Sequence, residues 1–245
     1  MRRARFRTPS GRTRNGTWTD RRLEAGGTVY RPDEVTILPP TEPTKIVGVS
    51  TNNYDLVDEY GYELPDRPKL FLKPPNTVSG HGDTVSLPSG AEIQYEAELA
   101  VVIDTQCRHM SRDDAMSVVG GFTILNDLTD KSNDDVYGVR FKAFDNSAVV
   151  GPVIVDPDAV PDDADIELQV NGQVQQTTDR SRLRFGVPEI IEEVTRYMTL
   201  EPGDLIATGT TSGADALAHG DDIEIEIEGI GTLEHGTAIT DDRDH

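Results

Sequence analysis

Residues 95–102 read Tyr95-Glu96-Ala97-Glu98-Leu99-Ala100-Val101-Val102. From Leu99 on, the stretch is continuously apolar, as in a strand buried on both faces. Its first half carries two carboxylates two positions apart. Side chains alternate across a strand, so Glu96 and Glu98 share one face and Ala97 and Leu99 the other. Adjacent carboxylates on a buried face repel unless a cation neutralises them. A divalent ion is the economical solution, and oxygen-only ligands point to Mg²⁺, Mn²⁺ or Ca²⁺ rather than zinc. Asp127, at the end of the apolar run 122–125, offers a third carboxylate. The alternative is a solvated surface pair, which fully explains the same spacing in Glu224-Ile225-Glu226-Ile227-Glu228.

The flanking sequence reads as mostly β (α+β), with two or three helices. Residues 1–43 form short strands and turns, a small N-terminal β domain. It ends at the stiff connector Pro39-Pro40-Thr41-Glu42-Pro43, and 44–245 form the main domain. Strands are predicted at 45–50, 93–102, 122–126, 148–155, 205–208 and 223–228. Asn171-Gly172 joins two more as a hairpin. Residues 111–119 read as a helix capped by Ser111 and stopped by Gly120-Gly121. A second helix covers 187–198, with Pro188 near its start. Residues 52–62 fit either a helix or a loop.

The chain has 245 residues, 23 basic and 44 acidic, for a net charge of −21. That balance argues against nucleic acid and anionic membrane surfaces as partners. Only five of the basic residues are lysines. A surface rich in acid and poor in lysine suits concentrated salt, where repulsion is screened, so a halophilic source is expected. The first 22 residues reverse the pattern, with eight arginines against Asp20 alone. Arg3, Arg5 and Arg7 alternate with Ala4 and Phe6, placing one arginine face against the acidic body. The Arg2-Arg3 and Arg21-Arg22 pairs precede no apolar stretch of signal length, so a cytoplasmic location is expected. The single cysteine, Cys107, excludes an internal disulfide. His109, His219, His235 and His245 show no metal-binding spacing.

Several segments together resemble the fumarylacetoacetate hydrolase family. They include Phe71-Leu72-Lys73-Pro74-Pro75, Gly80-His81-Gly82-Asp83, residues 95–102, 121–127 (GFTILND), Phe141-Lys142-Ala143-Phe144-Asp145, 197–204 (YMTLEPGD) and 220–233. They follow the family's order from about residue 45 onward. The resemblance implies a β-roll catalytic domain, a homodimer and a Mg²⁺ or Mn²⁺ site at Glu96, Glu98 and Asp127. It implies a small 2-oxo or β-diketo acid substrate, bound by Lys131 and Thr210. Lys142 matches the family's active-site lysine, for proton transfer or oxyanion stabilisation. A metal on a 2-keto oxygen stabilises a developing enolate, which decarboxylation, tautomerisation and C–C cleavage share.

One departure bears on the reaction. Many members carry Asn-Tyr-x-x-His followed three residues later by Glu, a dyad that activates water. Here Asn53-Tyr54 leads to Val57 and Tyr60. Hydrolysis then lacks its base unless His81 or a lid carboxylate supplies it. Isomerase, tautomerase or decarboxylase chemistry is favoured over C–C hydrolysis, and a non-catalytic 2-oxo-acid-binding protein is the third reading.

Overall fold

A computed structural model describes residues 1–19, 22–132 and 138–240. Asp20, Arg21 and His245 lie outside the described residues. The fold is mostly β. Its centre is the strand Ala97–Ile103, buried along its whole length. This strand pairs antiparallel with Val119–Asp127 on one side and Leu205–Ala207 on the other. Leu205–Ala207 runs parallel to Ile46–Ser50, which pairs antiparallel with Lys69–Lys73. Ala148–Val155 lies beyond Val119–Asp127. Among the described residues, twelve strands form this one sheet and five form a second. The second runs Gln173–Asp179, Asp165–Val170, Asp222–Ile227, Gly231–Thr240, Thr84–Pro88.

Burial explains why the central strand can hold charge at one end. Leu99, Val101, Val102 and Ile103 are all buried. Each such side chain contributes about 1.5–3 kcal/mol. An ionised carboxylate taken from water costs several kcal/mol. The apolar half therefore anchors the strand and leaves its first residues free to carry Glu98.

The N-terminal strands extend the main sheet. Arg2–Arg7 pairs with Ala148–Val155 through Arg2↔Val155 and Arg3↔Ile154. Arg2 donates to Ile230 O at 2.6 Å and Arg3 to Gly120 O. Arg5 pairs with Glu42 at 2.5 Å. Arg2 lies on the Ala4–Phe6 side of the strand; on the arginine face a carbonyl holds Arg3 and an acid holds Arg5. No helix among the described residues is long and apolar enough to cross a membrane.

Three elements differ from the local reading. The strand predicted at 93–102 is broken: Ile93–Gln94 pairs with Thr129–Asp130, and the chain resumes as a strand at Ala97. The helix predicted at 111–119 is a single 3₁₀ turn, Ala115–Val118, running straight into Val119–Asp127. Gly120-Gly121 lies inside that strand rather than ending a helix. A Cβ on Gly121 would fall 2.2 Å from Val155 O, so the glycine serves close strand approach. The ambiguous 52–62 contains a short helix, Asp55–Tyr60. The helix Val187–Tyr197 buries Val187, Ile190, Ile191 and Val194, in keeping with its 3.6-residue pattern.

On the strand Gly231–Thr240 of the second sheet, His235 is only 4% exposed. Its Nε2 lies 2.9 Å from Asn126 Nδ2 and its Nδ1 3.2 Å from Gly236 O. Asn126 Oδ1 accepts from Glu96 N–H at 2.9 Å, which turns the amide nitrogen toward the ring. A neutral imidazole carrying its proton on Nδ1 satisfies both contacts. Burial pushes this histidine down to about 4. The unfolded chain takes up that proton near pH 6.5, the native chain only near pH 4. The stabilisation is therefore present above about pH 6.5 and is lost as pH falls toward 4, by about 2–3 kcal/mol. Urea unfolding at about pH 7 and about pH 4.5 should show this loss in the wild type and less of it in His235→Gln. An equal loss in both would assign it to other groups.

Candidate active site

The functional side chains gather at one end of the central strands. Glu96 lies in the break before Ala97–Ile103, fixed by its N–H on Asn126 Oδ1 and by Asp127 N–H on its carbonyl, both at 2.9 Å. Glu98 enters from the strand itself, and Asp127 from the end of the neighbouring strand. One carboxylate oxygen from each of the three lies within 4.8 Å of the others. Opposite ligands of an ion with 2.0–2.6 Å bonds stand about 4–5 Å apart, so this all-oxygen set fits a hard divalent cation.

Two buried ammonium groups face the carboxylates. Lys142 Nζ donates to Asp127 Oδ2 at 2.5 Å, Glu96 Oε2 at 2.7 Å and Thr129 Oγ1 at 2.6 Å. It also lies 4.7 Å above the Phe71 ring. Burial opposes its charge, but Asp127 and Glu96 outweigh burial and hold it well above the usual lysine range. Lys73, fully buried, donates to Asp127 Oδ1 at 2.5 Å and Leu128 O at 3.0 Å. Burial, aided by Lys142, brings Lys73 down to about 8 despite Asp127, so it remains mostly charged at neutral pH. Asp127, gripped by both, is held below the ordinary aspartate range although burial opposes this.

Glu98 is the exception. It makes no ion pair among the described residues, and its Oε2 accepts Gly209 N–H at 2.6 Å. Burial, then Asp127 and Glu96, push its carboxyl well above the usual range. An ionised Glu98 needs a further positive charge. Gly209 reaches it because φ is +103° and Val49 O would stand 3.0 Å from any Cβ there.

A cavity of about 750 Å³ opens onto Glu96, Glu98 and Lys142, with Lys131 and Thr210 on its wall. Lys131 lies 3.9 Å from Glu96 Oε1 and 4.7 Å above the Phe141 ring. The lid helix Asp55–Tyr60 covers one side through Leu56 and Tyr60. It is tied to the Thr210 loop by Thr211 Oγ1 on Asp55 Oδ2 at 2.9 Å and Gly213 N–H on the Tyr60 hydroxyl at 3.0 Å. Thr178 and Arg182 also bind Asp55. Val57 is not among the lining residues.

The structure thus brings six of the seven residues singled out by sequence to one place. His81 is elsewhere: its Nδ1 accepts Glu234 N–H at 3.1 Å and its ring stands edge-on to Trp18. It does not line the cavity. Sequence reasoning passed over two residues. Lys73 carried a signal, since it shares a strand face with buried Phe71 while Leu72 points out. Gln176, which bridges the central strand and the Thr210 loop, carried none.

Residues 45–237 match the family described as fumarylacetoacetate (FAA) hydrolase C-terminal. The chain belongs to the fumarylacetoacetate hydrolase family. Among the family's characterised relatives, an oxaloacetate tautomerase of Bacillus subtilis is 38% identical over 227 residues, 86% of this chain and 75% of its own. The solved structure of 5-carboxymethyl-2-hydroxymuconate delta-isomerase from Mycobacterium smegmatis aligns with a TM-score of 0.90 at 30% identity, over 98% of this chain and 99% of that one. Maleylpyruvate hydrolase from a Sphingobium species, solved with manganese(II) and pyruvate, gives a TM-score of 0.85 at 28% identity, over 98% and 99%. This chain is an enzyme of that family.

Lys73 supplies a direct test of the charge cluster. Removing one partner of a buried ion pair costs about 3–5 kcal/mol. Lys73→Met should lower unfolding stability by about that amount in urea titrations near neutral pH. A loss under about 1 kcal/mol would mean that Lys142 alone holds Asp127.

Proposed function

We propose that this enzyme acts on a small 2-oxo acid through a metal-stabilised enolate, as a tautomerase, isomerase or decarboxylase. The observation that carries the reading is the convergence of Glu96, Glu98, Lys142 and Thr210 on one cavity, with buried Asp127 completing the trio of carboxylates within 4.8 Å. Glu96, Glu98 and Asp127 would hold Mg²⁺ or Mn²⁺. The ion would supply Lewis-acid stabilisation of negative charge on the keto oxygen.

The chain's own residues do the rest. Lys142, charged and hydrogen-bonded to Glu96 and Asp127, acts as an electrostatic stabiliser rather than as a base, and would serve as a proton donor where a bound cation offsets those carboxylates. Lys131 and the Thr210 hydroxyl bind the substrate carboxylate. Phe71 and Phe141 give the two lysines an aromatic backing that keeps water from their stems. Among the described residues, no histidine lines the cavity. That favours reactions needing an electron sink and a proton donor over those needing an activated water. The tautomerase relative supports the same choice. C–C hydrolysis is the second reading: Glu63, just beyond the lid helix, lines the cavity and would serve as its base.

The test follows oxaloacetate with Mg²⁺ or Mn²⁺ in high KCl, recording enol, pyruvate and CO₂ separately. Glu98→Gln keeps the shape but removes the charge, and should lower turnover by at least about 100-fold. Turnover that survives this change, or survives chelation of the metal, would sink the proposal. An acylpyruvate cleaved with uptake of water would establish the hydrolase reading instead. No turnover above the metal-only background on either substrate would point to a binding protein.

A further inference from the structure

Gln176 lies on the second sheet, remote in sequence from the charge cluster, and is 2% exposed. Its Oε1 accepts Ala97 N–H at 3.0 Å, between Glu96 and Glu98. Its Nε2 faces Thr210 Oγ1 at 3.1 Å, Thr211 O at 3.2 Å and Ser212 O at 3.1 Å. These partners fix the amide's orientation. A backbone N–H can only donate, so the atom opposite Ala97 is the oxygen. The two carbonyls can only accept, so the atom opposite the loop is the nitrogen.

A consequence follows for Thr210. Nε2 has two protons to share among these three acceptors and cannot itself accept, so in its bond with Thr210 the hydroxyl oxygen is the acceptor. The hydroxyl's one proton is left for another acceptor, and Thr210 lines the cavity. We infer that Gln176 is a positioning residue that sets Thr210 as a hydrogen-bond donor to the substrate's carboxylate. This rests on the 2-oxo-acid reading above. The same amide ties the Thr210 loop to the strand carrying Glu98, so the carboxylate contact and the carboxylate cluster share one rigid reference. Glutamate has the right length but would place an oxygen against the two carbonyls and accept the Thr210 proton, reversing that hydrogen bond. Asparagine is one methylene too short to span both sides.

The experiment is a double-mutant cycle on Mn²⁺-loaded protein with oxaloacetate, using Gln176→Glu and Thr210→Val. Mn²⁺ affinity is measured alongside by calorimetry. Gln176→Glu should raise KM by about 10–100-fold, the worth of a hydrogen bond to a charged group, with kcat changed only a few-fold. In the Thr210→Val background the same change should raise KM less than about twofold, and in Thr210→Ser the sensitivity should return. An unchanged KM, or an equal rise in the Thr210→Val background, would overturn the inference and leave Gln176 a structural brace with a charge effect. If Gln176→Glu does not melt cooperatively, Gln176→Met replaces it: it is neutral, of similar length, and removes the same donor. Should wild type bind pyruvate without turning over oxaloacetate, the cycle is read in pyruvate Kd, with the same outcomes. Wild-type protein that neither turns over oxaloacetate nor binds pyruvate would overturn the 2-oxo-acid reading itself, and the inference with it.

Discussion

Asp127 is held between two ammonium groups in a space almost without water, and the architecture of the site depends on that clamp. Both its oxygens are taken, one by Lys73 and one by Lys142, each at 2.5 Å. At an effective dielectric near 20, unit charges 4 Å apart interact by about 4 kcal/mol, so contacts this short outweigh the tendency of burial to protonate the acid. Lys73 arrives from the strand Lys69–Lys73, three strands along the sheet from the central one, and Lys142 from the short helix Val139–Lys142. Fixing Asp127 therefore fixes the relation of three separate elements. Two of the chain's five lysines are spent inside this cluster, in a protein that otherwise favours arginine. An ammonium is compact enough to sit among three oxygens; a guanidinium's planar fork is not.

The same balance defines Glu98. Three carboxylates face two buried ammonium groups, and the unmatched charge falls on the one carboxylate whose oxygen meets a backbone N–H instead of a lysine. Its burial makes sense if it is completed by a cation from solution. Lys131, partly exposed at 3.9 Å from Glu96, is too distant to fill that role for Glu98 and is better suited to an incoming anion.

How far the sequence spoke depended on whether the governing contact was local. The apolar run 99–103, the Asn171-Gly172 hairpin and the helix starting near Pro188 rest on period and turn chemistry, and all three were legible. The Glu96–Glu98 spacing was legible as a pair but not in its mechanism. Glu96 lies outside the strand, and its position comes from Asn126 and the chain break. Gly120-Gly121 misled because its reason is a carbonyl on a distant strand. His81 was open as a replacement base, yet its surroundings, Trp18 and Glu234, are distant in sequence and hold it away from the cavity. Gln176 sits in the polar run Gln173–Asp179, where neither burial nor partner shows in the pattern.

The lid shows what replaces the missing histidine in structural terms. Asp55 is bound by Thr178, Thr211 and Arg182, and Tyr60 by Gly213, so the helix is pinned at both ends to the loop bearing Thr210. Burial opposes Asp55's charge, but these hydrogen bonds outweigh it and hold its carboxyl below the ordinary range, leaving it a poor proton acceptor. A lid helix anchored through its acid in this way flanks the cavity and ties down the Thr210 loop, and Asp55 itself is withdrawn as a base. In the proposed 2-oxo-acid chemistry this arrangement suits protonation of an enolate, whereas C–C hydrolysis would need a base for the attacking water from another residue, such as Glu63. The departure at Val57 and the latch at Asp55 therefore point to the same chemistry from independent residues.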